Sequence, residues 1–257
     1  MPDTTSPTVS FEKENADKDF FIRLCEVFAR NGMEALLTKK REEQLLLLAR
    51  RLVSENKKYN LTAITDQNAI ILRHIADSLT VSSFIPTGAR VLDVGTGAGF
   101  PSLPLAICRP DVTVTALDAT AKKIRYVTET ATLLSLDNYE GIAGRAEELC
   151  RPPYRGSFDV VLARAVSELS ILSELCLPFC RTGGAFLAMK GTSANEEAAK
   201  AAGAIDKLGG GTPTVYQTPV TDGEEELLHA VVVTKKEKAS PTLYPRVYAK
   251  ILKEPLS

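Results

Sequence analysis

The sharpest chemical signal in the chain is the stretch Asp93-Val94-Gly95-Thr96-Gly97-Ala98-Gly99-Phe100-Pro101. It follows a short apolar run beginning at Arg90. Its glycines permit a tight turn and a close approach of bare backbone to a ligand. Pro101 suits the first turn of a helix, where its missing N–H costs nothing. Two acidic positions further along could complete a site: Asp118, and Glu147 within Gly144-Arg145-Ala146-Glu147-Glu148.

Three ligand classes use such a loop. A triphosphate site would need a Gly-Lys-Ser/Thr ending, which is absent. A dinucleotide site is awkward, because its third glycine falls at Phe100 and Asp93 puts a carboxylate beside the pyrophosphate. S-adenosylmethionine carries no phosphate, and its cationic methionyl end tolerates acid nearby. Asp118, placed after a second strand, can hold ribose hydroxyls, although NAD would use it equally. Arg145, Ala146 and Glu147 can border an adenine. By itself Glu147 is more often a helix-start carboxylate.

A second group precedes the loop. His74, Asp77 and Ser78 lie at i, i+3 and i+4, so one helix face can present all three. From spacing alone, a hydrogen-bonded lock between helices and sheet explains them. Arg164 and Lys190 fall at the ends of a fourth and a fifth strand, where open parallel sheets bind ligands. Each could touch substrate or pair with a structural carboxylate.

These residues need a scaffold. Residues 1–15 read as a loose tail and 16–85 as a helical extension, with helices from Phe20, over 34–58 and from Ile70 to Phe84. Leu45, Leu46, Leu48, Ala49, Leu52 and Val53 form the expected buried side of the second. From Arg90 strands and helices alternate: strands at 90–94, 112–117, 139–143, 158–163 and 185–189, helices at 121–135, 169–179 and 194–208. Parallel strands cannot return by a tight turn, so this is a doubly wound α/β sheet, spanning 86–240. Late strands at 215–217 and 228–234, with a turn at Thr221-Asp222-Gly223, add antiparallel edges. A basic tail, 241–257, is expected to pack on the domain.

Composition narrows the class. Lys and Arg total 31 and Asp and Glu 32, so the whole surface does not coat nucleic acid. Basic clusters remain at Lys39-Lys40-Arg41, Lys57-Lys58, and Lys235, Lys236, Arg246 and Lys250, which could meet phosphates. Tyr59 and Tyr244 could stack on a base, but packing explains them more simply. Nothing resembles a membrane span or secretory signal, which leads to the expectation of a cytoplasmic protein. The 5 cysteines are scattered, and neither zinc nor a disulfide is expected.

Taken together, Asn60-Leu61-Thr62, His74-Ile75-Ala76-Asp77-Ser78-Leu79, the glycine loop, Gly144-Arg145-Ala146-Glu147, Arg164-Ala165-Val166 and Lys190-Gly191 resemble the ribosomal small-subunit methyltransferase G family, also called glucose-inhibited division protein B. The likeness runs over roughly residues 40–250. It implies a Rossmann-like class I S-adenosylmethionine-dependent methyltransferase sheet with an N-terminal helical cap. It also implies methyl transfer to position 7 of a guanine in the decoding-region loop of 16S ribosomal RNA, on free RNA or a small-subunit particle, by a monomer without metal. Asn60, His74, Asp77, Ser78, Arg164 and Lys190 would shape the reaction site. Asp93, Gly95, Thr96, Gly97, Gly99, Phe100, Asp118, Arg145, Ala146, Glu147 and Arg164 would hold the cofactor. Ser102 stands where the family commonly has glycine, Ala119 where serine is common, and the stretch after Tyr244-Pro245-Arg246 lacks the usual Gly-x-Pro. Other readings remain: methylation of another RNA, a small molecule or a protein; an NAD-dependent oxidoreductase; or a non-catalytic RNA-binding protein.

Overall fold

The computed structural model describes residues 7–164 and 167–257, so Ala165 and Val166 and the first six residues of the expected tail lie outside the described residues. Helix α1 (Pro7–Arg30) starts well before Phe20, which makes residues 7–15 helical rather than loose. Pro7 supplies the preset φ of a first helical turn. Phe20, Leu24, Val27 and Phe28 are fully buried on one side, each contributing about 1.5–3 kcal/mol of transfer free energy. The expected second helix is broken by a 3₁₀ turn, Glu34–Leu36, before α2 (Lys39–Tyr59), which Thr38 caps by accepting from the Arg41 N–H. Val53 faces outward instead of joining Leu45, Leu48 and Leu52 in the core. The third helical stretch comprises α3 (Gln67–Ile70), a π-helical segment Ile71–Ala76, and α4 (Asp77–Leu79).

The sheet follows. β1 (Arg90–Val94), β2 (Thr113–Asp118), β3 (Tyr139–Ala143), β4 (Phe158–Arg164) and β5 (Cys180–Lys190) are parallel, in the order β3-β2-β1-β4-β5. The crossovers are α5 (Ser102–Cys108), α6 (Ala121–Leu133), α7 (Ala146–Leu149) and α8 (Leu169–Cys176). After α9 (Ala194–Lys207) come β6 (Thr214–Gln217), the two-stranded hairpin of β7 (Val220–Thr221) and β8 (Glu226–Leu227), and β9 (Ala230–Lys235). β9 runs antiparallel to β5, and β6 closes the edge antiparallel to β9. A final short helix is α10 (Tyr248–Lys253). Strand β5 begins earlier than its apolar core suggests. Its Thr182-Gly183-Gly184 segment takes up a register shift against β4, and a Cβ on Gly184 would meet the Asp159 carbonyl oxygen at 2.6 Å.

Apolar strand residues divide between the two faces. Val91, Val114, Val160 and Leu162 pack toward α5 and toward Val81 and Ile85 in the stretch before β1. Leu92, Val94, Val161 and Ala163 pack toward α8 and α9. The N-terminal helices and the β7–β8 hairpin are tied together. Arg23 donates to the Asp222 carboxylate at 2.6 Å, and the Asn31 side chain bonds both ways with the Thr221 backbone. This clamp brings the cap over the carboxyl edge of the sheet.

Candidate active site

The glycine loop is fastened by its own backbone. The N–H groups of Gly95 and Thr96 both donate to the Leu117 carbonyl, at 2.7 and 3.0 Å. Gly95 and Gly97 have φ of 78° and 60°, a region that favours glycine. A Cβ added to Gly97 would meet only the Gly95 carbonyl oxygen, at 3.9 Å, so it is the backbone conformation rather than crowding that favours glycine there. Gly99 serves packing instead: its Cβ would strike Leu103 at 2.4 Å and Val127 at 3.1 Å. Thr96 points inward, where its hydroxyl meets Ser102 Oγ at 2.6 Å, and Ser102 reaches the Tyr139 hydroxyl at 3.0 Å. The family departure at position 102 therefore adds a buried hydroxyl chain beneath the loop.

Asp93 lies against this chain, 1% exposed, and neither carboxylate oxygen makes a hydrogen bond of good geometry. Burial pushes its pKa up to about 6, with the nearby hydroxyls of Thr96 and Ser102 and the Arg164 charge holding back the rise. Asp118 sits at the end of β2. Its carboxylate accepts from the N–H groups of Gly97 at 3.1 Å and Thr120 at 2.8 Å. A carboxylate has about four acceptor positions, so Asp118 retains capacity for hydroxyl donors.

Asp118, Gly95, Arg145, Ala146 and Glu147 line one cleft with an apolar wall of Leu172, Leu175 and Tyr248. Glu147 is held by Arg145 Nε at 2.9 Å, and the Arg145 guanidinium lies 5.2 Å from the Tyr248 ring centroid. An acidic rim, exposed backbone and an apolar wall suit a cationic nucleoside. The residues present therefore fit S-adenosylmethionine.

A larger cavity, about 620 Å³, opens past the ends of β4 and β5, within the size range of small-ligand sites. It brings together His74, Asp77, Arg164 and Lys190. Arg164 Nη1 lies 3.1 Å from Asp77 Oδ2, and the other Asp77 oxygen lies 2.5 Å from Nδ1 of His229. The His74 ring stacks on Phe100 at 4.7 Å, and its Nε2 meets the Thr62 hydroxyl at 3.0 Å. Burial, then the Arg164 charge, depress His74 to about 4, so the ring is neutral at pH 7. Lys190 bonds the Ser167 carbonyl at 2.5 Å and Glu197 at 2.7 Å, which engages its ammonium internally. Phe100, which belongs to the glycine loop, touches His74 and has the Arg164 guanidinium 5.7 Å from its centroid.

Two of the expected site residues stand apart from this cavity. Asn60 is the left-handed cap of α2, with φ 50°, and is exposed. Ser78 turns back to donate to the His74 carbonyl within its own helix. Two of the cations expected to meet phosphates are internal. Arg246 clasps the fully buried Glu174 through Nε at 2.9 Å and Nη2 at 2.7 Å. Lys236 is 2% exposed and donates to the Leu208 carbonyl and the Ser240 hydroxyl. Lys39, Lys40, Lys57, Lys235 and Lys250 are exposed. Tyr59 packs near Tyr126, and Tyr244 packs against the core beside α8. His229 and Tyr248 line these spaces without belonging to any sequence motif, although His229 is one of only 2 histidines in the chain.

The parallel order β3-β2-β1-β4-β5, the antiparallel β9 and β6 beyond it, and the glycine loop after β1 define a class I S-adenosylmethionine-dependent methyltransferase fold. The structure of M. jannaschii TYW2 in complex with AdoMet shares this architecture, with a TM-score of 0.50 at 15% identity over 63% of this chain and 76% of that one. A family model described as rRNA small subunit methyltransferase G matches residues 41–221. Ribosomal RNA small subunit methyltransferase G of Lactobacillus delbrueckii subsp. bulgaricus is 40% identical over 82% of this chain and 89% of its own length. That of Clostridium novyi is 37% identical over 94% and 99%. The chain belongs to the rRNA small subunit methyltransferase G family.

Proposed function

We propose that this chain transfers the methyl group of S-adenosylmethionine to position 7 of a guanine in the decoding-region loop of 16S ribosomal RNA. The observation that carries the reading is the pair of spaces past the carboxyl ends of the parallel strands: an acidic, apolar-walled cleft beside the glycine loop, and a larger cavity lined by Arg164, Asp77 and Lys190. Family membership supplies the substrate class. Asp118 and Glu147 would take the ribose and adenine edges, and the backbone at Gly95 and Gly97 would border the methionyl part. The bound cofactor supplies an electrophilic methyl on a sulfonium.

The target nitrogen carries a lone pair and no proton, so no general base is needed. Positioning then dominates catalysis. Arg164, held by Asp77 and lying near Phe100, would orient the base. Neutral His74 stiffens Phe100 from the cap side. Lys190, neutralised by Glu197, fixes the Ser167 segment at the cavity wall. The exposed lysines would add phosphate contacts that give affinity without base identity. The same reading has the protein acting in the cytoplasm as a monomer, with the N-terminal helices as a cap on the α/β domain.

The test has two arms. Calorimetry should show binding of S-adenosylmethionine and none of NADH; the reverse would favour an oxidoreductase. Tritiated methyl donor should label small-subunit particles from cells lacking the enzyme. RNA binding without label would favour a non-catalytic RNA-binding protein.

A further inference from the structure

Each permanent cation lining the larger cavity already has a carboxylate. Arg164 has Asp77, Lys190 has Glu197, and Arg73 has Glu225. His229 differs. It shares Asp77 with Arg164, and its Nε2 has no hydrogen-bond partner among the described residues. The ring is half-buried at the cavity wall, with 38% of its side chain exposed. It sits between β8 and β9, one residue before Ala230, which pairs with Lys190 on β5. The chain thus delivers it to the carboxyl edge of the sheet, beside the cap.

We infer that His229, as an imidazolium, anchors an acceptor oxygen of the RNA substrate through Nε2 while Asp77 holds its other nitrogen. The acceptor is a phosphate or base-carbonyl oxygen. The inference rests on the reading of this cavity as the substrate side. An ionised carboxylate can only accept, so Nδ1 must carry a proton. The neutral ring then presents a bare lone pair at Nε2, and the protonated ring presents an N–H donor. The hydrogen bond to Asp77 raises the imidazole pKa above its ordinary 6.5, against burial and the charges of Arg164 and Arg73. The charged and titratable groups around it are Arg73 and His74 from the π segment, Asp77 from α4, Arg164 from β4, Lys190 from β5 with Glu197 of α9, and Glu225 and Glu226 of the hairpin. His74 stays neutral, so the set brings three cations against four carboxylates, and protonation of His229 brings it into balance.

The test compares the full-length wild type with His229→Gln and His229→Lys on unmethylated small-subunit particles, from about pH 6 to about pH 9, to span the imidazole transition. Cofactor affinity and melting temperature are followed in parallel. Wild-type kcat/KM at saturating cofactor should fall about tenfold as pH rises, the worth of one charge-assisted hydrogen bond, while cofactor affinity, which follows Asp93, does not fall. His229→Gln should be about tenfold slower at the acid end and lose the slope. His229→Lys should recover rate at the alkaline end. A phosphate acceptor would make the difference between wild type and His229→Gln shrink with added salt, and a carbonyl acceptor would leave it unchanged. The inference is overturned if His229→Gln keeps the wild-type slope, or if its rate, cofactor affinity and melting temperature fall in step. Absence of label from the wild type at every pH would overturn the functional reading itself, and this inference with it.

Discussion

Asp77 and Arg164, 87 residues apart in the chain, meet at 3.1 Å and join the helical cap to the sheet. The carboxylate is 4% exposed and the guanidinium 20%, so the pair is largely withdrawn from water. One contact thereby couples the lid of the cavity to the residue at the end of β4. It also gives Arg164 two duties, structural and chemical, that substitutions can separate.

Arg164→Ala should reduce methyl transfer by about a hundredfold, a typical penalty for a lost positioning contact, while cofactor affinity changes little. Asp77→Asn should destabilise the fold by about 3 kcal/mol, because Arg164 and His229 lose their shared anion. The double variant should recover part of that loss. Chemical denaturation of the four proteins forms a double-mutant cycle, and strict additivity would mean that the pair is not coupled.

Asp93→Asn should stabilise the cofactor-free protein near pH 8 and weaken its hold on the methyl donor. A pKa raised from 3.8 to about 6 means that the folded state resists ionising this group. The penalty is absent below pH 3.8, grows toward 6 and is complete above it, amounting to ~2–3 kcal/mol. Thermal unfolding with and without S-adenosylmethionine reads both effects. An unchanged melting temperature in the free protein would contradict the buried-anion assignment.

His74 titrates with the opposite sign. Its folded pKa of about 4 lies below the ordinary 6.5, so the unfolded chain binds the proton first. Stability from the neutral ring is complete above pH 6.5 and drains away as pH falls toward 4, by ~3 kcal/mol. In the wild type Asp93 offsets part of this trend. Urea midpoints should therefore fall more steeply on acidification in Asp93→Asn, and less steeply in His74→Phe, than in the wild type. Parallel slopes in all three would exclude His74 and Asp93 as the source.

Arg246→Ala should act on stability rather than on RNA affinity. Its guanidinium is spent on Glu174, which is fully buried on α8, and stranding that carboxylate should cost about 3–5 kcal/mol. The salt dependence of particle binding should match that of the wild type. A slope reduced by one phosphate contact would restore Arg246 to the RNA surface.

The sheet was legible because short apolar runs at 90–94, 112–117 and 158–163 admit few other structures, and the strands found there differ by at most one residue at their ends. The glycine loop was legible by its spacing, but spacing could not divide its glycines between ligand and packing. That division depends on Leu103 and Val127, which fold back against Gly99 from α5 and α6. The regular i, i+3, i+4 spacing of His74, Asp77 and Ser78 hid a π-helical segment, and only Asp77 and His74 turn to the cavity. His229 went unseen because its partner is 152 residues away. Arg246 and Lys236 looked like phosphate ligands because charge in a sequence carries no sign of the buried carboxylate or carbonyl that claims it.

The most direct measurement is nucleoside mapping by mass spectrometry of RNA from small-subunit particles methylated in vitro by this protein. The expected result is one modified guanine, carrying the new methyl on ring nitrogen 7, and no product when the donor is withheld. A methyl on another atom, spread over many nucleotides, or found on ribosomal protein instead of RNA would contradict the assignment of the cleft and the cavity.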